Sequence, residues 1–130
     1  MIIKSLNGNK CRIADIAFPM DSITTTSTFA VTNVSIQKKY VNNQATNEVE
    51  GINYTLIDTQ TFTQIRVKVP TTDKPVITQE QLDASDIPVF VKVPINETII
   101  KPYKIEYGSA HLSIVAPYLE LVENDLIKDL

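Results

Sequence analysis

The chain holds one cysteine, Cys11, and one histidine, His111. A single thiol cannot form an intrachain disulfide, and neither residue has the companions that a Cys- or His-rich zinc site requires. Cys11 reads as a small apolar residue of the interior. His111, between Ala110 and Leu112, reads as a surface or half-buried residue of a strand. Glycine is scarce too, with three in 130 residues. No Walker loop, dinucleotide fingerprint, nucleophile elbow or zincin motif is present. Fifteen acidic residues always allow some close pair, yet no spacing singles one out as acid and base. We therefore expect no enzyme, no metal and no cofactor.

Long apolar runs are also missing. No stretch approaches the roughly 20 apolar residues of a membrane span, so no membrane association is expected. Residues 1–10 are too polar for a signal peptide. On that reading a cytoplasmic protein is expected, and the sequons at Asn33, Asn53 and Asn96 mean little, because glycosylation requires a secretory route.

Excess positive charge is absent: the net charge is −3, from 12 bases and 15 acids. Its placement matters. Residues 120–130 hold Glu120, Glu123, Asp125 and Asp129 against Lys128, which accounts for the whole imbalance. The remaining bases and acids balance, 11 of each. A neutral body with a local basic face and an acidic end is compatible with a polyanion and does not demand one.

What is abundant is Thr, Val and Ile in short alternating blocks, the pattern of half-buried strands. The blocks predict strands at about 11–18, 28–40, 50–58, 61–69, 88–93, 98–107, 110–115 and 118–123. Residues 58–61 form a short turn, 42–47 a flexible hairpin tip and 70–75 a loop. One short helix is expected from Thr78 to about Ala84, with Thr78 and Gln81 spaced as a capping box and Ile87-Pro88 beyond its end. Strands flanking one helix suit a small five-stranded Greek-key β-barrel, which would also hide its edges. The expectation is one domain over 1–123, followed by a short acidic and apolar tail at 124–130.

The most informative segment is 61–69. Side chains alternate across a strand, so Ile65, Val67 and Val69 face the core while Phe62, Gln64, Arg66 and Lys68 share the other side. The pattern returns at 89–93, with Val89, Val91 and Val93 inward and Phe90 and Lys92 outward. It returns again at 99–107, where Lys101, Tyr103 and Tyr107 share one parity and Lys104 takes the other. Rings interleaved with cations are what a single-stranded nucleic acid needs: bases stack on the rings and the cations follow the phosphates. A groove-reading helix for duplex DNA is missing. The bland alternative is that Phe62 and Phe90 fill a second core layer and the lysines protect edges. In the tail, Leu126, Ile127 and Leu130 among acids form either a solvated terminus or a place where a protein partner docks.

Four segments carry a family resemblance. They are Ile87-Pro88-Val89-Phe90-Val91-Lys92-Val93, Ile100-Lys101-Pro102-Tyr103-Lys104-Ile105, Gly108-Ser109-Ala110-His111-Leu112-Ser113-Ile114 and Tyr118-Leu119-Glu120-Leu121-Val122. Together they resemble the C-terminal half of small phage and plasmid single-stranded-DNA-binding proteins of the filamentous-phage gene V type. The resemblance implies an OB-fold, a homodimer and binding along a strand with little sequence preference, with the hairpin at 54–68 as the binding hairpin. This chain differs in its length, its acidic balance and its helix at 78–84. The expected function is single-stranded DNA binding, with RNA as the other candidate ligand, in replication or transfer of a plasmid or phage. Phe62, Phe90 and Tyr103 would stack on bases, while Arg66, Lys68, Lys92, Lys101 and Lys104 would meet phosphates and Gln64 would lie between. The rival is a protein-interaction or structural module of a phage or conjugation assembly, with the same aromatic row as its interface.

Overall fold

A computed structural model describes residues 2–3, 10, 12–71 and 74–122. Cys11 and the tail at 124–130 lie outside the described residues. The fold is mostly β, with one short α-helix among the described residues. Its strands are β1 (Ile2–Ile3), β2 (Ile16–Pro19), β3 (Thr28–Val41), β4 (Gln44–Ile57), β5 (Gln64–Val69), β6 (Phe90–Lys92), β7 (Ile99–Glu106), β8 (Ser109–Val115) and β9 (Glu120–Leu121); helix α1 is Gln79–Ala84.

The strands hydrogen-bond in the order β1-β2-β7-β8-β5-β4-β3-β6-β9. Every ladder is antiparallel except β5 with β8. Among the described residues the sheet does not close into the barrel expected from the sequence. Closure would require the two outermost strands to pair with each other, and β1 and β9 have two residues each and pair only inward.

Two long hairpins shape the molecule. Strands β3 and β4 have 14 residues each and meet at Asn42-Asn43, both in the left-handed region (φ 53° and 64°). Asparagine tolerates that conformation, so the turn is a tight two-residue one rather than the broad flexible tip read at 42–47. Strands β7 and β8 meet at Tyr107-Gly108 (φ 50° and 79°). Strand β5 pairs with β4 from Val69 to Gln64, but with β8 only at Val67 and Lys68. Below that point the two halves of the sheet separate.

One face carries the core. Phe29, Val31 and Val34 of β3, Ile52, Tyr54 and Leu56 of β4 and Val67 and Val69 of β5 are all buried, with Val91, Val93, Ile100 and Ile114 from the other strands. The inward parity expected for Val67, Val69, Val91 and Val93 holds, and Ile65 and Val89 pack at the margin. Helix α1 forms where expected: Thr78 Oγ1 accepts the Gln81 N–H at 3.1 Å, and Gln81 Oε1 accepts the Thr78 N–H at 3.0 Å. This reciprocal pair is a complete capping box.

Other boundaries moved. The strand expected at 11–18 begins with a turn of 3-10 helix, Ile13–Asp15, and becomes extended at Ile16. The strand expected at 61–69 starts at Gln64, because 58–63 form a closed loop. There the Asp58 N–H donates to Thr63 O at 2.9 Å and the Phe62 N–H donates to Asp58 O at 2.6 Å.

Candidate nucleic-acid interface

The register of the ladders sets transverse rows of side chains on the face opposite the core. In one row Asn33 lies across from Thr55, and Thr55 across from Arg66. Val67 pairs with Ile114 in parallel register, which brings Ser113 beside Arg66, and Ser113 faces Lys101 on β7. The next row runs Ser35, Asn53, Lys68, Val115, Ile99. A third, towards the other end of the strands, runs Phe90, Ala30, Ile57, Gln64.

The first two rows meet in a groove of about 500 Å³. Asn33 and Ser35 of β3, Asn53 and Thr55 of β4, Arg66 and Lys68 of β5, Tyr103 of β7 and Ser113 of β8 line it. Among the described residues no carboxylate is part of that lining. Two cations beside small amides and hydroxyls, with no acid among the described lining residues, give the groove an excess of positive groups, offset in part by Glu50 beside Lys68. Arg66 is exposed and makes no hydrogen bond or ion pair among the described residues. Lys68 lies lower, with its side chain 32% exposed and its Nζ 4.0 Å from Glu50 Oε1.

Tyr103 reaches the groove through an irregularity. Between Pro102 and Lys104 the β7–β8 register shifts, so Tyr103 has no direct partner across the ladder. Its ring sits 6.0 Å from that of His111, at 50°. The simple alternation read at 99–107 breaks at this point. Lys104 pairs with His111 across the ladder, and its Nζ lies 3.4 Å from Glu106 Oε2, while His111 Nε2 approaches the same oxygen at 3.3 Å. The charge of Lys104 is thus directed at Glu106 rather than into the groove.

Phe62 departs furthest from expectation. It is not in β5, so it does not continue the outward row of Gln64, Arg66 and Lys68. It stands in the 58–63 loop with φ 58° and its side chain is 80% exposed. A second core layer is therefore not its place either. Gln64 begins β5 and is exposed one row from the groove. Lys101 is exposed across from Ser113.

Phe90 and Lys92 lie two strands away from β4. Phe90 is half-buried across from Ala30, and Lys92 lies between Thr28 and Glu120. Lys92 also lines a smaller pocket of about 170 Å³ with Tyr118 and Asn96. There the Tyr118 hydroxyl donates to Glu97 Oε2 at 2.9 Å. That bond to a carboxylate, with further help from burial and the nearby Glu97 and Glu120 charges, raises the phenol pKa above its ordinary value.

The groove thus unites Arg66, Lys68 and Tyr103, with Gln64 and Lys101 at its margin, and leaves Phe62, Phe90, Lys92 and Lys104 outside. Sequence reading missed Asn33, Ser35, Asn53, Thr55 and Ser113. A signal existed, since Asn33 and Ser35 flank Val34 as Asn53 and Thr55 flank Tyr54. No helix among the described residues is long and apolar enough to cross a membrane. No family model matches the chain, and no curated protein or solved structure does either.

Proposed function

We propose that the groove across β3, β4, β5, β8 and β7 binds single-stranded nucleic acid, single-stranded DNA in the first instance, with little sequence preference. Such an activity would serve the replication or transfer of a plasmid or phage. Support comes from one observation: Arg66, Lys68 and Tyr103 share a groove with amides and hydroxyls, and no acid is among its described lining residues. Cations contact phosphates, a tyrosine ring offers a stacking face, and small polar groups accept any base edge. An extended single strand fits such a surface without the recognition helix that duplex reading favours.

The test is fluorescence anisotropy of a labelled oligo-dT at two salt concentrations with wild type and Arg66→Ala. Binding should weaken with salt, because association releases counterions, and Arg66→Ala should reduce both the affinity and the salt slope. Binding that is flat in salt, or unchanged in Arg66→Ala, would remove this reading.

A second reading has its own observation. Ile105 is 67% and Tyr107 is 99% exposed on the β7–β8 hairpin. Exposed apolar side chains clustered on one element suit a protein-interaction or structural module. Loss of self-association or partner assembly in Ile105→Ser/Tyr107→Ser, with oligo-dT binding absent in wild type, would move the assignment there.

A further inference from the structure

We infer that Glu50 and Gln37 hold Lys68 down against Gly51 in the free protein, and that a strand entering the groove displaces this contact and frees the ammonium for phosphate. The inference rests on the single-strand reading of the groove and adds the residues that set its affinity.

Lys68 and Arg66 have the same parity on β5 and line the same groove, yet they are held differently. Arg66 is exposed and without a partner among the described residues. Lys68 is only 32% exposed, because its stem crosses Gly51. A Cβ at Gly51 would stand 3.0 Å from Lys68 Cε and 3.0 Å from Val69 O. The missing side chain is thus the seat of the lysine stem. The ammonium ends 4.0 Å from Glu50 Oε1.

Glu50 has a second contact. Its other oxygen, Oε2, accepts from Gln37 Nε2 at 3.4 Å, and Gln37 Oε1 accepts from Asn53 Nδ2 at 3.3 Å. Gln37 lies directly across from Gly51, and Asn53 directly across from Lys68. The four side chains therefore surround the gap that Gly51 leaves. Asn53 also lines the groove, so a ligand that takes its amide competes with Gln37 at the far end of the same chain of contacts. A partly exposed ion pair at this distance is weak, which lets a phosphate displace it.

The experiment is oligo-dT anisotropy across a salt series with wild type, Arg66→Ala, Glu50→Gln, Lys68→Ala and Glu50→Gln/Lys68→Ala, with circular dichroism and thermal melts as folding controls. Glu50→Gln keeps an acceptor for Gln37 and removes the charge that holds Lys68. It should tighten binding about threefold at low salt and steepen the salt slope by up to about 0.7, because in the wild type the carboxylate that the strand releases takes up a cation and offsets the one shed by the phosphate. In the Lys68→Ala background the same change should have no effect. A gain that persists without Lys68 would show only a general field effect and overturn the inference. Wild-type binding that Arg66→Ala weakens and Glu50→Gln leaves unchanged would overturn it too, while sparing the groove. No binding by any variant would remove the single-strand reading and this inference together.

Discussion

The Val34 N–H donates to Gln79 Oε1 at 2.8 Å, joining β3 to a helix 45 residues further along the chain. Strand β6 covers the outer edge of β3 only from Thr28 to Ala30, and Val34 lies beyond that cover. The Gln79 amide takes the place of the missing strand, while its Nε2 donates to Asp83 Oδ1 at 2.9 Å. Gln79→Ala should leave the Val34 donor unsatisfied beside the buried core. The expected loss is about 1–3 kcal/mol, read as a lower urea midpoint with an unchanged m-value.

The neighbouring cap makes a smaller, separable contribution. Thr78→Ala removes one half of the capping box and should cost about 1 kcal/mol. Thr78→Ser, which keeps the hydroxyl acceptor, should restore most of it. Equal losses in both variants would show that the hydroxyl is not what matters.

These two residues show how far the chain could be read. Thr78 and Gln81 are local signals, three residues apart, and the helix they start lies where their spacing puts it. The parity of Val67, Val69, Val91 and Val93 is equally local and equally visible. Barrel closure is not local. It depends on whether strands far apart in sequence meet, which alternation within each strand does not encode. The groove fails to show for a related reason. Asn33 and Thr55 come opposite each other only through a β3–β4 register that shifts between Val31 and Asn33, and Ser113 reaches Arg66 only through a parallel pairing of β5 with β8. At Phe62 the alternation of the sequence continues past the true start of β5, while backbone bonds to and from Asp58 close a loop there instead.

Tyr54 links stability to alkaline pH. Its ring is buried and its hydroxyl oxygen accepts the Val76 N–H at 3.2 Å. Burial raises the phenol pKa above 10.0, and the Val76 bond opposes the shift without cancelling it. The unfolded state then loses its proton first. The stabilising contribution is complete below about pH 10 and is lost as pH rises from there through the folded-state value. Urea unfolding between pH 9 and 11 should show a decline that Tyr54→Phe reduces. The variant should also be less stable at neutral pH, because the Val76 N–H loses its acceptor.

Phe62 separates stability from binding. Its φ of 58° lies where a Cβ is unfavourable, and an 80% exposed ring gains little from packing. Phe62→Gly should keep the loop, since the Phe62 N–H to Asp58 O bond uses only backbone atoms, and should leave stability unchanged or raise it by up to about 1 kcal/mol. Backbone strain of this kind collects at functional positions. If the ring stacks on a base of a strand leaving the groove, the same variant should weaken oligo-dT binding by about 1–3 kcal/mol with no change in salt slope, because no phosphate contact is lost. A more stable protein with unchanged affinity would take Phe62 out of the binding surface and leave Tyr103 as the aromatic wall of the groove.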